Sequence, residues 1–136
     1  MATIRYFEDL EIWQAARELA KGVYKLYSSN DQFSKDFKLK GQINASSGSI
    51  MDNIAEGFGR SGNMEFVNFL SIAQGSLAET KSQLYRSFDR QYLSAEELDA
   101  MKSRCEELAN KIGRLMNYLN QSDIKGNKYK DRVTKS

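Results

Sequence analysis

The chain has 136 residues, 40% of them hydrophobic and 28% charged, with no proline, no histidine and one cysteine. That length fits one domain with a real core. The missing histidine and the lone Cys105 rule out an internal disulfide and argue against zinc sites, iron–sulfur sites and the usual general base of neutral pH.

The formal charge of +2 is unevenly placed. Residues 121–136 hold Lys125, Lys128, Lys130, Arg132 and Lys135 against Asp123 and Asp131, so residues 1–120 carry a slight net negative charge. Net charge alone therefore does not mark the body as a nucleic-acid binder. No run of about 18 apolar residues exists to span a membrane. The opening "MATIRYFEDLEIW" lacks a signal-peptide core, so a cytoplasmic location is expected.

In chain order, a first helix is expected over about Asp9 to Tyr27. Ile12, Ala15, Ala16, Leu19, Ala20, Val23, Leu26 and Tyr27 share one side, and Trp13 and Tyr24 widen the arc. The stripe is broader than one core-facing surface needs; a second subunit or a thick core accounts for it. A second helix is expected from near Ser34, as N-cap, with Ile43, Ser47, Ile50, Met51, Ile54 and Phe58 inward. Its other face carries Gly41, Ala45, Gly48 and Asp52, small residues suited to close packing by another helix.

The second helix ends in "NIAEGFGR", Asn53 to Arg60. A phosphate-cradling loop needs a strand, then glycines, then a helix N-terminus. Here the glycines follow a helix and sit at its negative end. Gly57 or Gly59 is instead expected to be the left-handed residue that ends it. Arg60 leads towards the next helix, where it either pairs with Glu56 or holds a backbone phosphate. Asp52 and Glu56 form a carboxylate pair one turn apart, a common feature of solvated faces.

The third helix is expected from Asn63, as N-cap, to Phe88, with Phe66, Leu70, Ala73, Leu77, Thr80, Leu84 and Phe88 inward. Its end, "RSFDRQY", sets Arg86 and Arg90 one turn apart among Tyr85 and Tyr92. That pattern either grips single-stranded nucleic acid or finishes a helix favourably. The fourth helix opens on the capping box "SAEE", Ser94 to Glu97. Leu98, Met101, Cys105, Leu108, Ile112, Leu115 and Leu119 follow at alternating steps of three and four, a seam for shallow helix crossings. Short linkers make successive helices antiparallel. The expected fold is all-α: an antiparallel up-down-up-down four-helix bundle over 1–120, with a basic, disordered tail over 121–136.

"FEDLEIWQAARELA" (7–20), "NIAEGFGR" (53–60) and "EFVNFLSIAQGSLAE" (65–79) together resemble the bacterial four-helix-bundle family of 23S rRNA intervening-sequence proteins. The resemblance rests on Asp9, Leu10, Trp13 and Gln14, on Asn53, Ile54, Ala55, Glu56, Gly57, Phe58, Gly59 and Arg60, and on Glu65, Phe66, Phe69, Leu70, Gly75, Ser76, Leu77 and Glu79. It implies a ring-like homopentamer and binding of RNA or other nucleic acid. A related branch, the accessory proteins of diversity-generating retroelements, implies a reverse transcriptase as a protein partner. Ser61, Gly62 and Met64 depart from the more basic pattern of relatives.

The sequence thus leads to a non-enzymatic, cofactor-free, oligomeric helical protein without a membrane association. Arg60, Arg86, Arg90, Lys125, Lys128 and Lys130 are its candidate nucleic-acid contacts. The alternative is a protein-interaction scaffold that binds no nucleic acid.

Overall fold

A proline-free chain with apolar residues every three to four positions has little except its caps to interrupt helices. The structure, a computed structural model, describes the backbone of residues 3–135 and the side chains of residues 3–122. A 3-10 turn at Phe7–Asp9 leads into α1 (Glu11–Ser29), α2 (Asp31–Lys35), α3 (Phe37–Phe58), α4 (Asn63–Asp89) and α5 (Ala95–Lys135). No strand occurs among the described residues, and no helix there is long and apolar enough to cross a membrane.

Cross-helix pairs fix the directions. Ser46 of α3 meets Gln83 of α4, while Ser49 meets Ser76. Lys81 of α4 reaches Glu106 of α5, and Gln74 reaches Ala109. Glu11 of α1 pairs with Lys111, while Gly22 faces Met101 and Arg104. Each of these helix pairs runs antiparallel, and α1 also packs on α3, closing the set of long helices around one core. Ile12, Leu19, Val23, Ile43, Ile50, Ile54, Leu70, Leu84, Leu108 and Ile112 are all buried there. The capping box is formed: the Ser94 amide donates to Glu97 at 2.9 Å and the Glu97 amide to Ser94 Oγ at 3.1 Å.

The second expected helix is divided. Asn30 caps α2, accepting from the Phe33 amide at 2.9 Å, and Asp36 caps α3, accepting from the Leu39 amide at 3.2 Å. Ser34 therefore lies inside α2 and caps nothing. The break turns Phe33 inward, where it is fully buried and stacks on Tyr92 at 5.0 Å between centroids. Asn63 is the first residue of α4, behind a Gly62 cap with no side-chain bond. Phe88 is exposed, and Phe58 is half-buried against Phe66. α5 continues past residue 120 to Lys135; the side chains of Lys125, Lys128 and Lys130 in the expected tail lie outside those described.

The glycines act otherwise than expected. Gly59 is right-handed (φ −72°, ψ −11°), and no described glycine has positive φ. Gly57 is helical and buried, and a Cβ there would stand 2.6 Å from Phe69 Cβ and 3.0 Å from a Phe66 ring carbon. It is a point of close approach between α3 and α4. Gly41 and Gly48, expected to pack closely, have nothing within 4 Å of where a Cβ would stand, so that face stays open within the chain. The left-handed residue is Gln91 (φ 65°), which ends α4. There the Tyr92 amide donates to the Ser87 carbonyl and the Gln91 amide to the Phe88 carbonyl, the paired bonds of a Schellman turn.

Gly57→Ala is expected to lower unfolding free energy by about 1–3 kcal/mol through overpacking. Gly41→Ala, at an open and exposed helical position, is expected to raise it by about 0.5–1 kcal/mol. Urea denaturation of both variants checks the contrast; equal effects of one sign would contradict it.

Candidate nucleic-acid interface

The arginines marked by the sequence are all engaged with their own chain. Arg60 Nη2 donates to Glu56 Oε1 at 3.0 Å, and its guanidinium lies 5.2 Å from the Phe69 ring centroid. Glu56 is therefore the partner of Arg60 and not half of a free carboxylate pair with Asp52. Arg86 Nη1 donates to Gln42 Oε1 at 3.1 Å. Arg90 Nη1 donates to Asp36 Oδ2 at 2.6 Å, and Tyr92 Oη donates to the same oxygen at 2.8 Å.

The segment "RSFDRQY" is thus a latch. Its tyrosine and second arginine hold the α3 cap, and the Tyr92 carbonyl accepts from Asn30 Nδ2 at 3.3 Å. Hydrogen bonding from Tyr92, aided by the Leu39 amide and Arg90, holds the Asp36 carboxyl below the usual carboxylate range, while partial burial opposes the shift. The same bond raises the Tyr92 phenol. Cys105 is buried, and desolvation pushes its thiol up to about 11, which suits a core residue and not a nucleophile.

The family motifs also meet in packing. Asn53 Nδ2 donates to the Ser49 carbonyl at 2.8 Å and lies 2.9 Å from Ser49 Oγ, which is 2.9 Å from Ser76 Oγ. Gly57 takes Phe66 and Phe69. Trp13 sets its ring edge-to-face with Phe7 at 5.0 Å. Asp9 and Glu65 are exposed, Leu10 precedes α1 half-buried, and Glu79 borders the α3–α4 groove beside Ser76. Gly75 has open space beside it.

A different cationic arrangement lies on α1. Arg17, Lys21 and Lys25 follow one another at four-residue steps, so they rise along one helix face by about 6 Å each. All three border a groove of about 570 Å³ between α1 and α3, together with Ala20, Tyr24 and Met51. No carboxylate lines it among the described residues. Arg17 sits over the Trp13 ring at 5.7 Å, and Lys21 meets Glu18 at 3.3 Å with both side chains 64% exposed, a pair that contributes little. Lys25 makes no ion pair among the described residues. The α1–α5 groove, by contrast, is lined by Glu18 and Glu107 as well as Arg104 and Lys111.

The four-residue recurrence of Arg17, Lys21 and Lys25 is a local pattern that the sequence contains. It is masked there because the same helix announces itself by its apolar stripe. The apolar floor supplied by Met51 needs the α1–α3 contact and leaves no local signal.

The profile of the 23S rRNA-intervening sequence protein family matches residues 8–114. The chain belongs to that family. The match spans nearly all of the three motifs and stops within α5. A crystal structure of a protein of unknown function from the S23 ribosomal protein family of Bacteroides thetaiotaomicron is 24% identical. It superposes with a TM-score of 0.72 over 77% of this chain and 97% of that one, which establishes the shared fold. No functionally curated protein matches the chain. Within this family member, then, the second and third motifs serve the α3–α4 contact, and the α1 groove takes Arg17 and Ala20 from the first motif.

The latch has a measurable signature. Because the folded-state value of Asp36 is depressed, its contribution is complete above the unfolded carboxylate range and is lost as pH falls through the folded value. Asp36→Asn is expected to cost roughly 1–3 kcal/mol at neutral pH. It should also flatten the loss of stability over about pH 5 to pH 1, as read by urea denaturation at successive pH values. An unchanged acid limb would remove Asp36 from this role.

Proposed function

We propose that this protein is a non-enzymatic, homo-oligomeric nucleic-acid-binding bundle of the cytoplasm, whose phosphate contacts lie on α1. The observation that carries the reading is the Arg17–Lys21–Lys25 row along a groove without carboxylates among its described lining. Phosphate contacts supply most sequence-independent affinity, and a row of cations at helical spacing provides them without a positive net charge. Arg60, Arg86 and Arg90 are secondary in this reading, because none of them lines the α1 groove; Arg60 and Arg90 each pair with a carboxylate, and Arg86 is held by the neutral Gln42 amide. The family name, which refers to an rRNA-intervening sequence, agrees with an RNA ligand.

The oligomer is supported by surface left unused within the chain. Ile72 is 52% exposed, and the helical Gly75, three residues on along α4, has no neighbour where a side chain would stand. A helical glycine costs up to about 1 kcal/mol against alanine, and a second subunit packed on this face offsets that cost. Static light scattering is expected to return several times the 15.5 kDa chain mass. A monomer at micromolar concentration would refute the oligomer.

For the nucleic acid, fluorescence anisotropy with single-stranded RNA is expected to show affinity falling steeply with salt. Replacing Arg17, Lys21 and Lys25 together by glutamine should reduce the log–log salt slope by about 2, at roughly 0.7 per single-strand phosphate. Arg60→Ala should change the slope by less than that triple replacement. An unchanged slope in the triple variant would refute the α1 site, and retained pull-down of a protein partner with no RNA binding would favour a scaffold.

A further inference from the structure

The α1 groove holds more than charge, and its remaining features select among polyanions. Tyr24 is 60% exposed and lines the groove with the cations, Ala20 and Met51. Its ring packs edge-to-face on Tyr27 at 5.4 Å and 78°. Tyr27 is in turn buried and donates from Oη to Asn44 Oδ1 at 3.2 Å. Tyr24 is therefore braced by a fixed neighbour while most of the ring meets solvent. An exposed aromatic on an apolar floor, with cations before and after it along the helix, is the arrangement that stacks an unpaired base while its phosphates are neutralised.

We infer that the groove binds single-stranded nucleic acid in preference to duplex, with a base stacked on Tyr24 and flanking phosphates on Arg17, Lys21 and Lys25. This rests on the nucleic-acid reading above and specifies the state of the strand. Duplex bases are already stacked and paired, so a duplex engages the cations but cannot use Tyr24 or the apolar floor. The preference is for strand state and not for base identity, since the groove wall offers charges and apolar surface. The base face and the phosphates that this reading engages are common to RNA and DNA strands, so both are probes of the groove.

The test uses the full chain with four probes: oligouridylate and oligothymidylate of about ten nucleotides, an RNA duplex of the same length, and inorganic polyphosphate. Single strands are expected to bind more tightly than duplex at equal salt. Tyr24→Ala should weaken single-strand binding by about tenfold or more and leave duplex and polyphosphate binding unchanged. Tyr24→Trp should restore single-strand binding, with circular dichroism confirming intact helices in both variants. Equal affinity for strand and duplex, or a Tyr24→Ala variant that binds single strands like the parent, overturns this inference and leaves the phosphate row standing. Absence of binding to every probe overturns both.

Discussion

The contact between α3 and α4 is the constraint from which the rest of the bundle follows. At Gly57 the two helices come close enough that a methyl group would collide with Phe69. Further along, the interface is polar: Ser46 Oγ donates to Gln83 Oε1 at 2.6 Å, and Thr80 Oγ1 lies 2.9 Å from both Ser46 Oγ and the Ser76 carbonyl. Ser49, Ser76 and Asn53 continue the row. A sliding step would separate Ser46 from Gln83 and Thr80 and leave the Gln83 side-chain oxygen without its partner, at about 1–3 kcal/mol, although Ser46 and Thr80 would keep the Ile43 and Ser76 carbonyls of their own helices. Hydrophobic contacts tolerate such slips far better. No buried side-chain polar atom among the described residues lacks a partner, so the row specifies register without a standing penalty.

The far end of the bundle is fixed by a second polar cluster that joins three helix junctions. Asn30 and Asp36 each cap a helix and each also hold Tyr92. Phe33 fills the space beneath, between Tyr27 and Tyr92. Gln91 accepts a left-handed backbone to bring Tyr92 there, at a conformational cost of about 1 kcal/mol that glycine would avoid. This cluster absorbs Arg90 and Tyr92 into structure. It explains why a pattern of arginines and aromatics at a helix end is not, by itself, a binding surface.

The sequence displays most of the fold because long helices advertise themselves through period and caps. The α5 seam from Leu98 to Leu119 and the Ser94–Glu97 box are local patterns, and both are realised. What escapes is non-local. Phe33 belongs to a five-residue helix too short for any period, and its burial depends on Tyr92, which is distant in sequence. Gly57 reads as a terminator until Phe69 is known to face it. Gly59 beside it is an equally good terminator by composition, and neither is left-handed. For Arg60 the choice between Glu56 and a phosphate is legible as a choice, and spacing alone does not resolve it.

Charge placement, finally, matters more here than charge total. The body is close to neutral, so long-range steering of a polyanion is weak, and only cations gathered within a Debye length of about 8–10 Å act together. The α1–α5 side spends its charge internally, with Lys111 held by Glu11 at 2.6 Å and by Glu107 at 3.7 Å. Lys81 is held likewise by Glu106 at 3.0 Å. The α1–α3 side keeps Arg17, Lys21 and Lys25 along a wall whose described residues include no carboxylate. Attraction at such a surface acts at short range, where shape and stacking also operate. Under the proposed reading, such a row on a near-neutral body would favour strands that fit the groove over polyanions in general, and an oligomer repeating the row would gain avidity from each copy without raising the charge of the subunit.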